Sequence, residues 1–177
     1  MSIVILRMVD PCWMDMDSGG IADQCAHGRV LFEVDGSQFV RPEDGEWAMS
    51  AAGLYLLRTL EDSHSEDSSV AEGNLLFPCC GHAVFPSDES RYGLVIIGCP
   101  GGVHVEVERD RAEIRLRGRD GIEATVAAVE WKRAVEQFAD DILVFYAESP
   151  PKNEPPDGED AAGWRLFWEE WQRRRAE

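Results

Sequence analysis

The sequence predicts an α+β fold in which an antiparallel sheet carries helices on one face. The chain has 177 residues, which fits one domain of ordinary size. Short runs of alternating apolar and charged residues, separated by Gly and Pro turns, are typical of antiparallel strands. Two longer segments carry apolar residues at helical spacing. We therefore expect a meander of about six to eight strands, two helices packed on one face and a Trp-rich helix at the C-terminus.

Three strands are predicted in the N-terminal part of the chain. Ile3–Met8 is a short apolar run. Arg29–Val34 alternates between apolar and polar residues, and Ser37–Val40 is a second β-rich run. Asp35-Gly36 between them is a strong hairpin signal, because both positions of such a turn need a positive φ. The residues between the first and second strands have no period and are expected to form a loop.

The spacing then changes from that of a strand to that of a helix. Apolar residues recur every three or four positions from Trp47 to Leu60. Ser50 is a candidate N-cap, so the helix is expected to span residues 50–60. The polar segment Asp62–Gly73 is expected to be a mobile loop.

The middle of the chain has the most regular alternation. Asn74–Phe85 predicts two short strands around a tight turn. Four more strands are predicted at Tyr92–Gly98, Val103–Glu108, Glu113–Arg117 and Ile122–Val126. Because short turns separate them, they are expected to form an antiparallel meander with one apolar and one charged face.

Two helices are predicted in the C-terminal part. Glu130–Tyr146 carries one apolar stripe, which we expect to pack on the apolar face of the meander. A proline-rich connector, residues 150–158, separates the domain of residues 1–149 from an amphipathic helix of residues 159–177. The stripe of that last helix consists of Trp164, Phe167, Trp168 and Trp171. We expect it to dock on the domain, since an exposed aromatic stripe promotes aggregation, with docking on a partner as the alternative.

The chain is strongly acidic, with 34 acidic and 17 basic residues and a net charge of −17. This charge repels phosphate backbones and anionic membranes, so neither a nucleic acid nor a membrane is the expected partner. It favours encounter with a basic protein, and it also keeps a chain soluble. Without a long apolar run or a secretory signal pattern in residues 1–9, the expected location is the cytoplasm.

Cysteines and histidines form a candidate metal centre. Zinc prefers four nitrogen or sulfur ligands in a tetrahedron, often supplied as two close pairs. Cys79 and His82 lie three residues apart with Gly81 between them. Cys25 and His27 lie two residues apart, so their side chains would share one face of an extended segment. The predicted ligands of a structural zinc are Cys25, His27, Cys79 and His82, with Cys80 and Cys99 as substitutes.

Two other interpretations of these residues stay open. In the first interpretation, Cys80 or Cys99 is a simple core residue, because cysteine is among the most buried residue types. In the second, a partly exposed Cys79 or Cys80 is a nucleophile with a histidine as its base. No pattern supplies an orienting third group, so no catalytic residue is assigned. An odd count of five cysteines does not predict a disulfide framework, and a disulfide between adjacent cysteines is strained.

The same segments carry a resemblance. Asp23–Gly28 follows the pattern D-x-C-x-H-G and Pro78–His82 reads P-C-C-G-H, and in these the chain resembles small stand-alone bacterial α+β proteins. That resemblance implies no activity. In size, acidity and make-up the chain is also similar to immunity proteins of bacterial toxin systems, which neutralise a basic toxin by binding it.

The sequence therefore favours a non-enzymatic acidic protein that recognises a basic protein partner by charge. The alternative is a zinc- or thiol-dependent enzyme built on the cysteine and histidine residues named above. The oligomeric state stays open.

Overall fold

The first and largest sheet is formed by the N-terminal strands. A computed structural model describes residues 2–15, 17, 19–81 and 83–176 of the chain. Strand β1 (Val4–Cys12) pairs with β2 (His27–Val34), and β2 also pairs with β3 (Ser37–Val40) and β4 (Trp47–Ala48). All of these pairings are antiparallel.

Shorter strands form three further antiparallel sheets. Strand β5 (Phe77–Pro78) pairs with β8 (Gly102–Val103), and β6 (Ala83–Pro86) pairs with β7 (Leu94–Ile97). Strands β9, β10 and β11 form a sheet in chain order and span Glu106–Arg109, Glu113–Arg117 and Glu123–Ala127. Together with the helices, these antiparallel sheets confirm the predicted α+β class.

Helices α1 (Met49–Arg58), α2 (Ala128–Glu148) and α3 (Gly158–Ala176) pack around one core. Every residue of α1 is buried, and α1 contacts both other helices, so it lies at the centre of that core. Within the described residues, no helix has the length and hydropathy needed to cross a membrane.

The first hairpin is confirmed, but the predicted start of α1 is wrong. Asp35 and Gly36 have φ values of 49° and 86°, as the tight turn requires. Ser50, the expected N-cap, lies inside α1 instead of before it. Its buried Oγ accepts a hydrogen bond from the backbone N–H of Ala26 at 2.9 Å and bonds the Tyr146 hydroxyl at 2.8 Å. Ser50 is therefore a core residue whose polar atom is satisfied by neighbouring segments.

The prediction of a single meander of six to eight strands is wrong. Strands β5 and β6 do not pair with each other, and neither β7 nor β8 joins the sheet of β9–β11. The edge of β9 that faces away from β10 is occupied by His64, which exchanges two backbone hydrogen bonds of 2.8 and 2.9 Å with Val107. In addition, Pro78, Pro86 and Pro100 lack the N–H that a continuing ladder needs, which keeps the neighbouring strands short.

The segment of residues 62–73, expected to be mobile, is fixed to the core at two points. His64 pairs with β9, and both His64 and Val70 are buried. The Nδ1 atom of His64 accepts a hydrogen bond from the backbone N–H of Val70 at 3.2 Å. This segment therefore closes the edge of a sheet, which its polar composition does not reveal.

Helix α2 packs mainly on β1 and α1, and only to a lesser extent on the predicted meander strands β10 and β11. Its Trp131 lies 5.7 Å from Phe32 between ring centroids and donates a hydrogen bond to Thr59 at 3.0 Å. The apolar stripe of α2 thus meets the aromatic face of the first sheet, which corrects the expected position of this helix.

Helix α3 lies against β6 and α1. Three aromatic residues of its stripe are buried, namely Trp164, Phe167 and Trp171. Glu170 accepts two hydrogen bonds from Arg58, at 2.9 and 2.8 Å, and one from Arg174 at 2.7 Å. Both apolar contact and a buried ion pair therefore hold α3 on the rest of the structure.

Candidate functional site

Two tight turns meet beside the short ladder of β5 and β8. The turn after β5 contains Cys79–Gly81, and the turn before β8 contains Gly98–Gly101. The backbone N–H of Cys79 donates to the carbonyl oxygen of Gly101 at 2.9 Å. Because β5 and β8 are antiparallel, their pairing holds the two turns face to face.

Three cysteine sulfur atoms converge between these turns. Cys79 and Cys99 form a disulfide, with Cα atoms 6.8 Å apart. The sulfurs of Cys79, Cys80 and Cys99 all lie within 4.8 Å of one another. The backbone N–H of Cys99 also donates to the sulfur of Cys80, at 2.8 Å. Among the residues that the structure describes, no other group of three or more Cys, His, Asp or Glu side chains is arranged to share a metal ion.

The backbone at Gly98 permits this close approach. A Cβ atom at position 98 would overlap the carbonyl oxygen of Cys80. Cys79 and Cys80 are half-buried, whereas Cys99 is exposed. The centre therefore combines a free thiol with a disulfide, and both are within reach of solvent.

An open cleft of about 270 Å³ adjoins the three-cysteine centre. Cys80 and Cys99 line it together with Tyr55 and Glu72. The Tyr55 hydroxyl donates a hydrogen bond to a carboxylate oxygen of Glu72 at 2.6 Å. Burial, and then the negative charge of Glu72, raise the pKa of Tyr55 well above its ordinary value, so this phenol stays neutral. The cleft has the size of an amino-acid side chain or a small organic thiol, below that of typical drug-sized pockets.

Cys25 and His27, two of the predicted zinc ligands, do not join this group. Cys25 is fully buried, and burial, followed by the charge of Asp23, raises the pKa of its thiol to about 12. His27 is also buried and its Nδ1 atom donates to the carbonyl oxygen of Cys25 at 2.8 Å. These residues fix the chain where it enters β2.

The other predicted ligands have different outcomes. Cys79 belongs to the centre, and so do the two substitutes, Cys80 and Cys99. His82 lies outside the described residues. The odd count of five cysteines does not predict a disulfide framework, and the structure corrects this expectation by linking Cys79 to Cys99.

The sequence contains a signal for the Cys79–Cys99 disulfide, but this signal is recognisable only once the pairing of β5 with β8 is known. Pro78-Cys79-Cys80-Gly81 and Gly98-Cys99-Pro100-Gly101 are both short turns next to a strand, and both combine Cys, Pro and Gly. If the flanking strands pair, the cysteines must face each other. Tyr55 and Glu72 had no such signal, because they reach the cleft from distant parts of the chain.

Comparisons with protein-family models, with curated proteins and with solved structures found no match to this chain. Function is therefore inferred from the geometry of the three-cysteine centre.

Proposed function

We propose that the protein carries out thiol–disulfide exchange at the Cys79/Cys80/Cys99 centre. One observation supports this proposal above others: the free thiol of Cys80 lies within 4.8 Å of both sulfurs of a disulfide. Exchange proceeds by attack of a thiolate on a disulfide sulfur, so a thiol held next to a disulfide is close to its target before any partner binds.

The internal step follows from the positions of the three sulfurs. The Cys80 thiolate attacks the sulfur of Cys99, and its electron pair forms the new Cys80–Cys99 bond. Cys79 leaves with the electron pair of the broken bond and takes up a proton. Attack on Cys79 is unproductive, because the product would be a strained disulfide between adjacent residues.

An external dithiol reduces the centre by the same chemistry. One of its sulfurs attacks the exposed Cys99 and forms a mixed disulfide. Its second sulfur then attacks the first, releasing two protein thiols and the cyclic or linked disulfide of the partner. Two electrons pass from the partner to the protein, and the cleft accommodates the side chain that carries the attacking sulfur.

The expected location agrees with such a role. Stable structural disulfides are rare in the cytoplasm, where the disulfides that do form are usually catalytic or redox-sensing. The exposed sulfur of Cys99 and the neighbouring free thiol of Cys80 support a role of this second kind.

The substitution Cys79→Ser tests the internal step. It removes the native disulfide and leaves Cys80 and Cys99 as the facing pair. On mild oxidation we expect the variant to form a Cys80–Cys99 disulfide, detected as the loss of two alkylatable thiols and by fragmentation of the linked peptides. The matched variant Cys99→Ser should form no disulfide within the centre. If Cys79→Ser keeps all of its thiols reduced while the wild type oxidises, Cys80 does not reach Cys99 and the exchange proposal is wrong.

A second candidate function is binding of a basic protein by the acidic surface. The observation in its favour is that many of the basic groups are already paired within the chain, including Arg117 with Glu106 and Glu123, and Arg175 with Asp140. The surplus of acidic residues is therefore what a partner meets. A charge-steered complex weakens as salt rises. Titration with a purified basic protein such as a histone at low and high salt tests this function, and binding that does not change with salt would exclude charge steering.

A further inference from the structure

The reduced form of the three-cysteine centre has the donor set of a zinc site. When the disulfide is reduced, Cys79, Cys80 and Cys99 present three thiol sulfurs that already lie within 4.8 Å of one another. In a tetrahedral zinc site with Zn–S bonds of about 2.3 Å, ligand sulfurs are about 3.8 Å apart. That spacing lies within the 4.8 Å limit that encloses the three sulfurs.

The backbone accommodates the change from disulfide to metal site. The sulfurs of Cys79 and Cys99 must separate from bonding distance to the spacing of zinc ligands. Their Cα atoms are 6.8 Å apart, at the upper end of the range that a disulfide spans, so rotation of the side chains is sufficient. The change requires no movement of the paired strands β5 and β8.

Backbone groups and nearby charge also suit a bound cation. The N–H of Cys99 donates to the sulfur of Cys80 at 2.8 Å, and such contacts orient a thiolate ligand and stabilise its charge. The carboxylate of Glu72 lines the adjoining cleft, and the whole chain carries a charge of −17. Both contributions favour a divalent cation over an anion at this place.

We propose that the reduced protein binds one Zn²⁺ through Cys79, Cys80 and Cys99, with the fourth position directed to the cleft and open to water or an exogenous ligand. Three protein ligands and one open position are the arrangement of reactive zinc sites rather than closed structural ones. The zinc site rests on the proposed exchange function, since that function supplies the reduced state.

Zinc binding by this centre takes two steps, reduction of the disulfide and then coordination of the ion, and an external dithiol and Zn²⁺ are the only reactants that they need. An external dithiol reduces the Cys79–Cys99 disulfide, which gives two protein thiols and the disulfide of the dithiol. Zn²⁺ then displaces three protons from the three thiols, and these protons pass to the solvent. An external disulfide reverses the process: it accepts two electrons and becomes a dithiol, the Cys79–Cys99 bond re-forms and the ion is released, so metal binding reports the redox state.

The test is a titration of the reduced protein with Co²⁺, a spectroscopic substitute for zinc, in the absence of oxygen. We expect one equivalent to bind, with sulfur-to-cobalt charge-transfer bands and the visible bands of tetrahedral coordination, and Zn²⁺ should abolish both. Prior oxidation with diamide should prevent binding. Cys80→Ser and Cys99→Ser should each weaken binding at least tenfold, whereas the matched control Cys25→Ser should bind as the wild type does.

The outcomes separate this inference from the exchange proposal. If the folded, reduced wild type binds no Co²⁺, or if Cys80→Ser binds as tightly as the wild type, the metal site is wrong even where exchange is observed. Cobalt binding by a protein in which Cys79→Ser forms no Cys80–Cys99 disulfide would support the metal site and overturn only the exchange proposal. Circular dichroism of each variant establishes that it is folded.

Discussion

Two segments of this chain contain cysteines that the sequence predicts as zinc ligands, and the structure places them in opposite environments. Cys25-Ala26-His27 lies in the core, where the thiol is neutral and the imidazole bonds a backbone carbonyl. Cys79-Cys80-Gly81 lies in a surface turn, where a free thiol adjoins a disulfide and an open cleft. The same residue type is a packing residue in the first segment and a candidate reactant in the second.

The difference comes from the elements that flank each segment. Cys25 precedes the long central strand β2 and lies against α1, so its side chain is enclosed from every direction. Cys79 and Cys80 follow a strand of two residues, and Gly98 lets the facing turn approach them without covering them. Burial, and not the spacing of cysteine and histidine, therefore distinguishes the enclosed thiol of Cys25 from the candidate reactant Cys80.

The largest expected effect is a difference in alkylation rate between Cys25 and Cys80. In a Cys12→Ser background, iodoacetamide should modify Cys80 on the order of a thousandfold or more faster than Cys25 under native conditions. The physical reason is that Cys25 is fully buried and reacts only when the core opens. Mass spectrometry of quenched samples measures both rates, and a urea-unfolded sample, in which the two rates should converge, is the control. Comparable native rates would break the comparison.

The next effect concerns the stability that the disulfide provides. Cys99→Ser removes a link between residues 20 positions apart, which should lower the free energy of unfolding by about 3 kcal/mol. Oxidised Cys79→Ser should keep most of that stability, because Cys80 replaces Cys79 as the partner of Cys99. Urea unfolding of both variants, with fully reduced wild type as the reference, measures the difference. Equal losses in the two variants would show that no replacement disulfide forms.

The smallest effect is an alkaline destabilisation that depends on Cys25. Burial raises the pKa of this thiol from its ordinary value of 9.0 to about 12, so between these values the unfolded chain loses a proton that the folded chain keeps. The unfolded state then binds fewer protons, and stability falls as pH rises. We expect this thiol to account for a loss of roughly 1 kcal/mol between about pH 8 and pH 10.

The control for the alkaline effect is Cys25→Ala. Tyr146 lies beside Cys25, and its pKa is also raised by burial, so the wild type alone does not isolate the thiol. The slope of unfolding free energy against pH should be less steep in Cys25→Ala than in the wild type. Identical slopes would mean that Cys25 is ionised or solvated in the folded state.

Local patterns in the sequence predicted the elements whose partners are close in the chain. The Asp35-Gly36 hairpin follows from turn chemistry, and the stripe of α2 follows from helical periodicity. Pairing of the short strands was not predictable in this way. The edge of β9 is closed by His64, a residue of a polar loop, and periodicity carries no information about such a distant backbone contact.

Only part of the candidate site is predictable from the sequence, because local patterns indicate the cysteine-containing segments but not the distant contacts between them. Cys79 and its two substitutes, Cys80 and Cys99, were recognised from residue type and from the glycine-rich turns. The pairing of Cys79 with Cys99 depends on β5 meeting β8, and each of these strands has two residues and no measurable alternation. Cys25 and His27 were grouped with them because spacing alone does not report burial.

Disulfide mapping of the wild type tests whether Cys80 exchanges with the Cys79–Cys99 disulfide. The protein is equilibrated with a graded ratio of reduced to oxidised dithiol, quenched with acid, alkylated and analysed by fragmentation of the linked peptides. We expect Cys79–Cys99 as the main linkage, Cys80–Cys99 as a second linkage in exchange with it, and Cys25 alkylated only after unfolding. A Cys80 thiol that stays unlinked at every ratio, with Cys79–Cys99 as the sole linkage of the centre, would contradict this expectation.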